Sequence, residues 1–312
     1  MSGLLDAAIV IAFLEAGVRL GIPLALAALG ETISERAGVL NIGLEGAIIA
    51  GALGAALGAL DTGSPILGVL VGGLAVALVF AVFVVGLNVD QIIAGTAITL
   101  GGLGFTAAVY EARFGTTGTA LTLPTLDPVS LPLLSAVPVL GPVFFSQAPT
   151  AYLTYLLAPA LAWFFYRTSA GLQLRAVGEA PDAAAAAGVR VRRIRFVATV
   201  AGGFLAGLAG AHLSLAYAGT FAEGMSAGRG FIAIAVVVLG RWNPILVLLA
   251  GLFFGAASAL QFFLQNLGFD IGYQIFLAVP YILTLAALGG WVGRARAPAA
   301  LALPWPTRRR GA

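Results

Sequence analysis

The sequence predicts an all-α fold, a polytopic helical bundle embedded in a membrane. Of its 312 residues, 60% are hydrophobic and only 9% are charged, whereas soluble domains carry roughly 25% charged residues. Mean hydropathy is +1.03, and apolar stretches long enough to cross a bilayer recur along the whole chain. Such a composition cannot cover a water-facing surface, so we expect a single transmembrane domain over residues 1–312.

A membrane-spanning helix needs about 20 apolar residues to cross a hydrocarbon layer of roughly 30 Å. Nine stretches meet or approach this length. They are Ala7–Leu29, Leu44–Leu60, Ile66–Leu87, Gln91–Tyr110, Thr150–Tyr166, Phe196–Tyr217, Phe231–Leu239, Ile245–Gln265 and Tyr273–Leu288. The seventh stretch is short, and we expect it either to extend back through Gly224–Gly230 or to pack as a half-span. Some helices should therefore be discontinuous.

The arginines predict the orientation, because every one of the 16 basic residues is an arginine. Six of them lie between Arg167 and Arg195, and five more lie in the tail, residues 290–312. Positive charge is retained on the cytoplasmic side, so we expect both regions to be cytoplasmic. The proline-rich segment 113–148 has one basic residue and should be external. This charge pattern reflects topology and does not indicate a nucleic-acid partner.

The loop of about residues 168–195 contains a short helix in a charged setting. Pro181 suits the first helical position, and Asp182 suits the first turn, where a carboxylate faces the positive end of the helix dipole. Ala183–Ala187 should propagate the helix and Gly188 should end it. We interpret this element as a cytoplasmic docking helix. The alternative is an ordinary positive-inside loop without a partner.

A second polar stretch, Glu31–Glu45, lies between two apolar runs and is interrupted by glycines. Its polar members are Glu31, Glu35, Arg36, Asn41 and Glu45. Transporters often build polar sites at membrane depth from discontinuous helices of this kind. For Glu31–Arg36 the sequence leaves open a pathway or a solvated cytoplasmic pair, whereas for Asn41 and Glu45 we favour the pathway.

Small residues four apart recur in the apolar stretches and predict close helix packing. The pairs are Gly17/Gly21, Gly54/Gly58, Gly68/Gly72, Gly203/Gly207 and Gly251/Gly255. With 42 glycines, such pairs also arise by chance, so they indicate a compact bundle and not a specific dimer.

Glu15 and Arg19, four apart on the first span, should pair with each other. The tryptophans Trp163, Trp242 and Trp291 are interpreted as membrane-interface residues.

Five segments, spread over nearly the whole chain, resemble a known family in their order and in their residues. They are GETISERAGVLNIGLEGAIIAGA (Gly30–Ala52), NVDQIIAGTAITL (Asn88–Leu100), LRAVGEAPDAAAAAGVRVRRIR (Leu174–Arg195), GRGFIAIAVVVLGRWNP (Gly228–Pro244) and RARAPAAL (Arg294–Leu301). Together they are similar to bacterial ABC-importer permeases for nucleosides. These permeases belong to the group that also carries simple sugars and branched-chain amino acids.

The resemblance implies that the helix near Pro181 is a coupling helix, which inserts into a groove of a cytoplasmic ATPase. Asp182-Ala183-Ala184-xxx-Gly188 keeps the spacing of the importers' EAA-xxx-G loop, with aspartate in place of glutamate. The downstream part of that loop pattern is absent, which favours the sugar and nucleoside branch over importers of the maltose type. The residues expected to couple to the ATPase are Arg175, Glu179, Pro181, Asp182, Ala183, Ala184, Gly188 and Arg190.

The expected pathway residues are polar side chains of the glycine-interrupted stretch Glu31–Glu45 and of the fourth and eighth spans. They are Asn41, Glu45, Gln91, Gln261 and Gln265. Gln261 and Gln265 could hydrogen-bond a ribose or a base, or merely cap their helix. His212, the only histidine, could serve as a proton relay or a ligand contact, but we favour a hydrogen-bonded packing role because no second histidine or intramembrane acid accompanies it in sequence.

The expected partners follow from the resemblance. They are a cytoplasmic ATPase, a second permease subunit forming a homodimer or a heterodimer, an external solute-binding lipoprotein or periplasmic protein, and membrane lipid. The expected location is the bacterial inner membrane.

Catalytic motifs are missing from the sequence: it contains no phosphate-cradling G-x-x-x-x-G-K-[ST] and no H-E-x-x-H. We therefore expect a non-catalytic subunit without a metal or a cofactor, with ATP bound by the partner. The alternatives are a permease for simple sugars or branched-chain amino acids, and an ATP-independent secondary transporter.

Overall fold

The computed structural model describes residues 7–115, 122–266, 278, 282 and 296–305, and these are overwhelmingly helical. Their α-helices are α1 (Ala7–Arg36), α2 (Leu44–Thr62), α3 (Pro65–Ala81), α4 (Gln91–Phe114), α5 (Leu140–Phe145), α6 (Pro149–Arg167), α7 (Ser169–Glu179), α8 (Pro181–Ala186), α9 (Val191–Ala211), α10 (Arg229–Leu239) and α11 (Pro244–Asn266). Two short π-helices, Val82–Gly86 and His212–Ala218, continue α3 and α9. The prediction of an all-α membrane bundle is confirmed.

Six helices among the described residues are long and apolar enough to cross a membrane. They are Ala8–Arg36, Leu44–Thr62, Pro65–Gly86, Gln91–Phe114, Val191–Ala218 and Pro244–Gln261. The predicted fifth and seventh spans form α6 and α10 but are not among the six. Prolines, threonines and tyrosines lower the mean hydropathy of α6. Helix α10 is too short, with only 11 residues. The predicted ninth span, Tyr273–Leu288, lies almost wholly outside the described residues.

Helix α10 is a half-span that begins inside the bundle. At 1.5 Å per residue its 11 residues cover about 16 Å, roughly half of the hydrocarbon layer. It begins at Arg229, directly after Gly228, whose backbone has a φ of 79°. Of the two alternatives for this stretch, the structure therefore has the half-span and not an extension through Gly224–Gly230.

Glycines lie where the long helices cross. In lipid there is no hydrophobic drive between helices, so small residues that allow close backbone contact hold the bundle together. The facing sets are Gly17/Gly21 of α1 with Gly251/Gly255 of α11, and Gly54/Gly58 of α2 with Gly68/Gly72 of α3. A Cβ atom at Gly255 would overlap the carbonyl oxygen of Gly17, and one at Gly68 would overlap that of Gly54. This confirms that the spaced glycines serve compact packing.

The first helix runs seven residues further than its predicted end at Leu29 and ends at Arg36. Glu31 and Glu35 are only 0% and 1% exposed, because α9 and α10 pack against this part of α1. Of the two alternatives left open for Glu31–Arg36, the solvated pair therefore does not fit the structure. The glycine that interrupts the helix is Gly38, with a φ of 87°.

The predicted loop of residues 168–195 is mostly helical. Helix α8 begins at Pro181 as expected and ends at Ala186, one residue before its expected end at Ala187, with Gly188 following at a φ of 83°. Helix α7 was not predicted; its N-cap is Thr168, whose Oγ1 accepts a hydrogen bond from the Gly171 N–H at 3.0 Å. Helix α9 begins at Val191 and not at Phe196, so the last arginines of the predicted loop lie in its first turns.

The opposite end of the bundle is closed by the segment predicted to be external. Two short strands, β1 (Val129–Ser130) and β2 (Ser146–Gln147), pair antiparallel. The Tyr152 hydroxyl of α6 donates to the Val129 carbonyl at 2.5 Å, and Arg113 of α4 forms an ion pair with Asp61 of α2. Because α6 separates this segment from α7 and α8, the two loop regions lie at opposite ends of the bundle.

We predict the sidedness of these ends from single cysteines at Ala186, Ala299 and Ser130, which are all exposed. The chain has no native cysteine, so each label reports one position. Cysteines at the first two positions should react with an impermeant maleimide only from the cytoplasm, and the third only from outside. Labelling of the Ala186→Cys variant from outside alone would reverse the orientation inferred from the arginines.

We also predict that Gly255→Leu destabilises the purified bundle by roughly 1–3 kcal/mol, the usual cost of overpacking, because the added side chain has no space against α1. Gly101→Leu is the matched control, since an added Cβ there meets nothing within 4 Å. Thermal unfolding in detergent measures both variants. Equal melting temperatures would show that the glycine contacts do not hold α1 and α11 together.

Candidate functional site

A buried carboxylate binds the start of the half-span. The side chain of Glu45, near the beginning of α2, is only 4% exposed. Its Oε1 accepts from the Gly228 N–H at 2.7 Å and its Oε2 accepts from the Gly230 N–H at 2.6 Å. A carboxylate on these amides satisfies donors that the helix itself cannot pair, and it faces the positive end of the helix dipole. Gly230 permits the approach, since a Cβ there would lie 2.5 Å from the Glu45 nitrogen.

The segment 37–43 turns back alongside the end of α1 and is held by side chains. The Asn41 N–H donates to Glu31 Oε1 at 2.7 Å, and the Leu40 N–H donates to Gln91 Oε1 at 2.8 Å. The Thr99 hydroxyl of α4 donates to the Ile42 carbonyl at 3.1 Å. An irregular backbone is tolerated inside a membrane protein only where its polar groups are satisfied in this way.

Three predicted pathway residues therefore lie in one region, at the breaks between α1, α2, α4 and α10. These residues, Asn41, Glu45 and Gln91, are all buried. Within the described residues, Asn41 Oδ1 has no hydrogen-bond partner, so the region retains capacity for water or a polar solute. A direct contact of these residues with solute stays a prediction.

The other two predicted pathway residues do not join this region. Gln261 of α11 is buried, but it lies beyond Gly255, which meets Gly17 in the N-terminal half of α1. It is therefore at the end of the bundle away from Glu31. The side chain of Gln265 lies outside the described residues.

A second polar network joins α1, α6, α7 and α10 at the end of the bundle that carries α8. The indole N–H of Trp242 donates to Glu35 Oε2, and the Trp242 carbonyl accepts from Arg36 Nε at 3.0 Å. Arg36 Nη2 also donates to the Tyr166 hydroxyl at 3.2 Å, and the Arg175 guanidinium lies 5.2 Å from the centre of the Tyr166 ring. These contacts fix the end of α10 against the end of α1.

Trp242 was wrongly interpreted as an interface residue. Its side chain is 3% exposed, whereas Trp163, the other described member of that set, is 64% exposed. The signal that could have identified Trp242 is its position between two helices in Gly228–Pro244. The indole N–H of a tryptophan buried there needs a hydrogen-bond acceptor inside the protein.

The predicted coupling helix exposes one face and buries the other. Ala184 is 6% exposed and packs with Val177 of α7 and Val191 of α9. Its exposed residues and those of the following turn form an outward surface, called here the α8 face. The α8 face consists of Asp182, Ala183, Ala186, Ala187, Gly188 and Arg190. Ala184 was predicted to couple, but it lies behind this face, because a six-residue helix must pack one side against its neighbours.

The remaining predicted polar residues have local partners. The His212 Nδ1 lies 2.6 Å from the Thr150 hydroxyl, and the ring is buried where α9 becomes a π-helix. This agrees with a hydrogen-bonded packing role. Glu15 and Arg19 form the expected ion pair on α1, at 3.5 Å.

The chain matches a protein family and several known proteins along most of its length. Residues 13–288 match the family model described as branched-chain amino acid transport system / permease component. A guanosine ABC transporter permease protein of Bacillus subtilis is 38% identical over 91% of this chain and 92% of its own length. A putative glucose ABC transporter permease protein of Haloferax volcanii is 37% identical over 88% and 90%. A nucleoside ABC transporter permease protein of Lactococcus lactis is 33% identical over 89% and 91%.

Each of these three organisms also has a second permease that matches less extensively. The matches cover 36% of this chain for a guanosine permease of Bacillus subtilis, 30% for a nucleoside permease of Lactococcus lactis and 75% for a glucose permease of Haloferax volcanii. No solved structure matches the chain.

We predict that Glu45→Gln destabilises the protein and reduces its transport activity. The amide can accept one of the two N–H bonds but faces the other with its own N–H groups, which leaves a buried donor unpaired at a cost of roughly 1–3 kcal/mol. Glu15→Gln is the control, because its surface ion pair contributes at most about 1 kcal/mol. Thermal unfolding and uptake are compared for both variants. A Glu45→Gln protein with unchanged stability would show that this carboxylate does not hold α10.

Proposed function

The chain belongs to the family of permease components of branched-chain amino acid transport systems, and from this premise we propose that it forms the membrane subunit through which an ATP-binding cassette importer moves nucleosides. Members of this family are non-catalytic, multi-pass membrane components, so a separate cytoplasmic protein must bind and hydrolyse ATP. Two relatives with coverage near nine-tenths are named for guanosine or nucleosides, which supports this cargo class. The relative named for glucose makes a simple sugar the second candidate.

The observation that supports coupling to an ATPase is the α8 face. It presents three small side chains, Ala183, Ala186 and Ala187, at the end of the bundle where the arginines gather. A slim, short helix held against α7 and α9 can enter a groove of another protein, and the nearby arginines can pair with its carboxylates or with lipid phosphate. The α8 face is thus a suitable docking surface for a cytoplasmic ATPase.

The further partners are proposed on the pattern of the relatives. Since three organisms each contain one permease that matches nearly the whole chain and a second that matches less of it, we expect this subunit to pair with a second, different permease. An external solute-binding protein would deliver the nucleoside to the end closed by residues 122–148. The expected location is the inner membrane of a bacterium, with no cofactor bound by this subunit.

The cargo is tested in vesicles that contain the permease pair, the ATPase and the binding protein. We expect ATP-dependent uptake of radiolabelled guanosine, competed by other nucleosides and not by glucose. Uptake of glucose alone would identify a sugar importer. Uptake by this subunit without the ATPase would identify a secondary transporter instead.

We predict that Ala183→Trp separates transport from ATP hydrolysis while the subunit stays folded. The tryptophan stands on the exposed α8 face and obstructs docking, with an overpacking cost of roughly 1–3 kcal/mol. Ala184→Trp is the matched contrast: its side chain enters the cluster with Val177 and Val191, so it should lower the thermal stability of the isolated subunit. Co-purification with the ATPase and ATP consumed per solute are measured. An Ala183→Trp complex of normal yield and normal uptake would refute docking through this face.

A further inference from the structure

The described part of the tail, residues 296–305, lies along the end of the bundle that carries α8. The Ala300 N–H donates to the Gly178 carbonyl at 2.9 Å, and the Ala299 N–H donates to Glu179 Oε2 at 3.2 Å. Both acceptors belong to the last residues of α7. The tail backbone thus pairs with the residues that lead directly into α8, and Ala300 is only 5% exposed.

Trp305 attaches the far end of the tail to α8 itself. Its indole N–H donates to Asp182 Oδ1 at 2.8 Å. Its ring packs on the cluster formed by Val177, Ala184 and Val191, which come from α7, α8 and α9. Trp305 is therefore docked where these three helices meet, and a tryptophan with an apolar body and one donor suits such a place.

Arg195 attaches the same tail to the bundle. This side chain of α9 is 3% exposed, and its Nη1 donates to the Leu303 carbonyl at 2.7 Å. The guanidinium also lies against the turn after α1, where a Cβ at Gly38 would be 2.7 Å from Arg195 Nη2 and 3.0 Å from the Ala300 carbonyl oxygen. A glycine is therefore needed where α1, α9 and the tail meet.

We propose that the tail is a brace that transmits movement of α8 to the transmembrane helices, with Trp305 as a positioning residue for coupling. This inference rests on the proposed function. A six-residue helix is not stable alone, and besides the tail its principal contacts among the described helices are with α7 and α9. The chain of contacts from Asp182 through Trp305 and the Leu303 carbonyl to Arg195 adds a connection from the α8 face to the core of the bundle.

The brace is tested first in the isolated subunit, where no ATPase is needed. Spin labels at Ala186→Cys and Leu303→Cys, both exposed positions of a cysteine-free chain, report the distance between α8 and the tail. Trp305→Ala should broaden this distance distribution and lower the ratio of docked to released tail by roughly tenfold to a hundredfold, because it removes both the hydrogen bond to Asp182 and the packing of the ring. Trp305→Phe retains the ring without the donor and should give a smaller change. Trp163→Ala, an exposed tryptophan of α6, is the matched control.

The second measurement is the ATP consumed per nucleoside transported in the reconstituted importer. We expect this ratio to rise severalfold in Trp305→Phe and further in Trp305→Ala, with ATPase binding retained, and to stay at the wild-type value in Trp163→Ala. A purely structural role of Trp305 would lower subunit stability without changing this ratio.

The possible results distinguish a failure of the brace from a failure of the proposed function. An unchanged distance distribution in Trp305→Ala, or a released tail with an unchanged ratio, overturns the brace and leaves the importer assignment intact. A wild-type subunit that binds no ATPase overturns the proposed function and the brace with it. A released tail together with a raised ratio supports the inference.

Discussion

The carboxylate of Glu45 bound to the first amides of α10 is the contact on which the interior of this bundle depends. A helix that begins at membrane depth exposes N–H groups that lipid cannot satisfy, so another part of the protein must accept them. Glu45 does this from the start of α2 with both oxygens. Glu31 and Gln91 do the same for the returning segment 37–43. The burial of Glu31 and Glu45 therefore follows from the broken backbone that they satisfy.

The same constraint explains why polar residues gather where they do. Breaks in α-helices place unpaired backbone groups and polar side chains together in an apolar environment, and this produces a region that can also receive a polar solute. Asn41 Oδ1, without a partner among the described residues, lies in this region. Structural support and a proposed translocation path therefore share one set of residues, so a substitution there changes stability and transport together.

At the end of the bundle that carries α8, small residues and arginines have complementary roles. Ala184 allows α8 to pack against α7 and α9, and Gly178 allows α7 to approach the end of α1 closely. Arg195 and Arg36 use long side chains to join elements far apart in sequence. Only 9% of the chain is charged, so the interior offers few alternative partners for a buried guanidinium. Loss of one such contact would therefore leave a buried charge unpaired. The result is a cytoplasmic unit in the proposed orientation that is connected to the bundle on several sides.

The sequence by itself determined the membrane class, most helices and the position of α8, because hydropathy, Pro181 and Gly188 act locally. Local signals also predicted the ion pair between Glu15 and Arg19, four residues apart on one helix. Only the tertiary structure decided that Glu31 and Glu35 are buried, that Trp242 contacts Glu35, and that Ala184 lies behind the α8 face. These facts depend on contacts between residues up to about two hundred positions apart, and hydropathy or helical periodicity carries no information on such pairings. The docking of Trp305 on Asp182 belongs to the same class, since its acceptor lies 123 residues away.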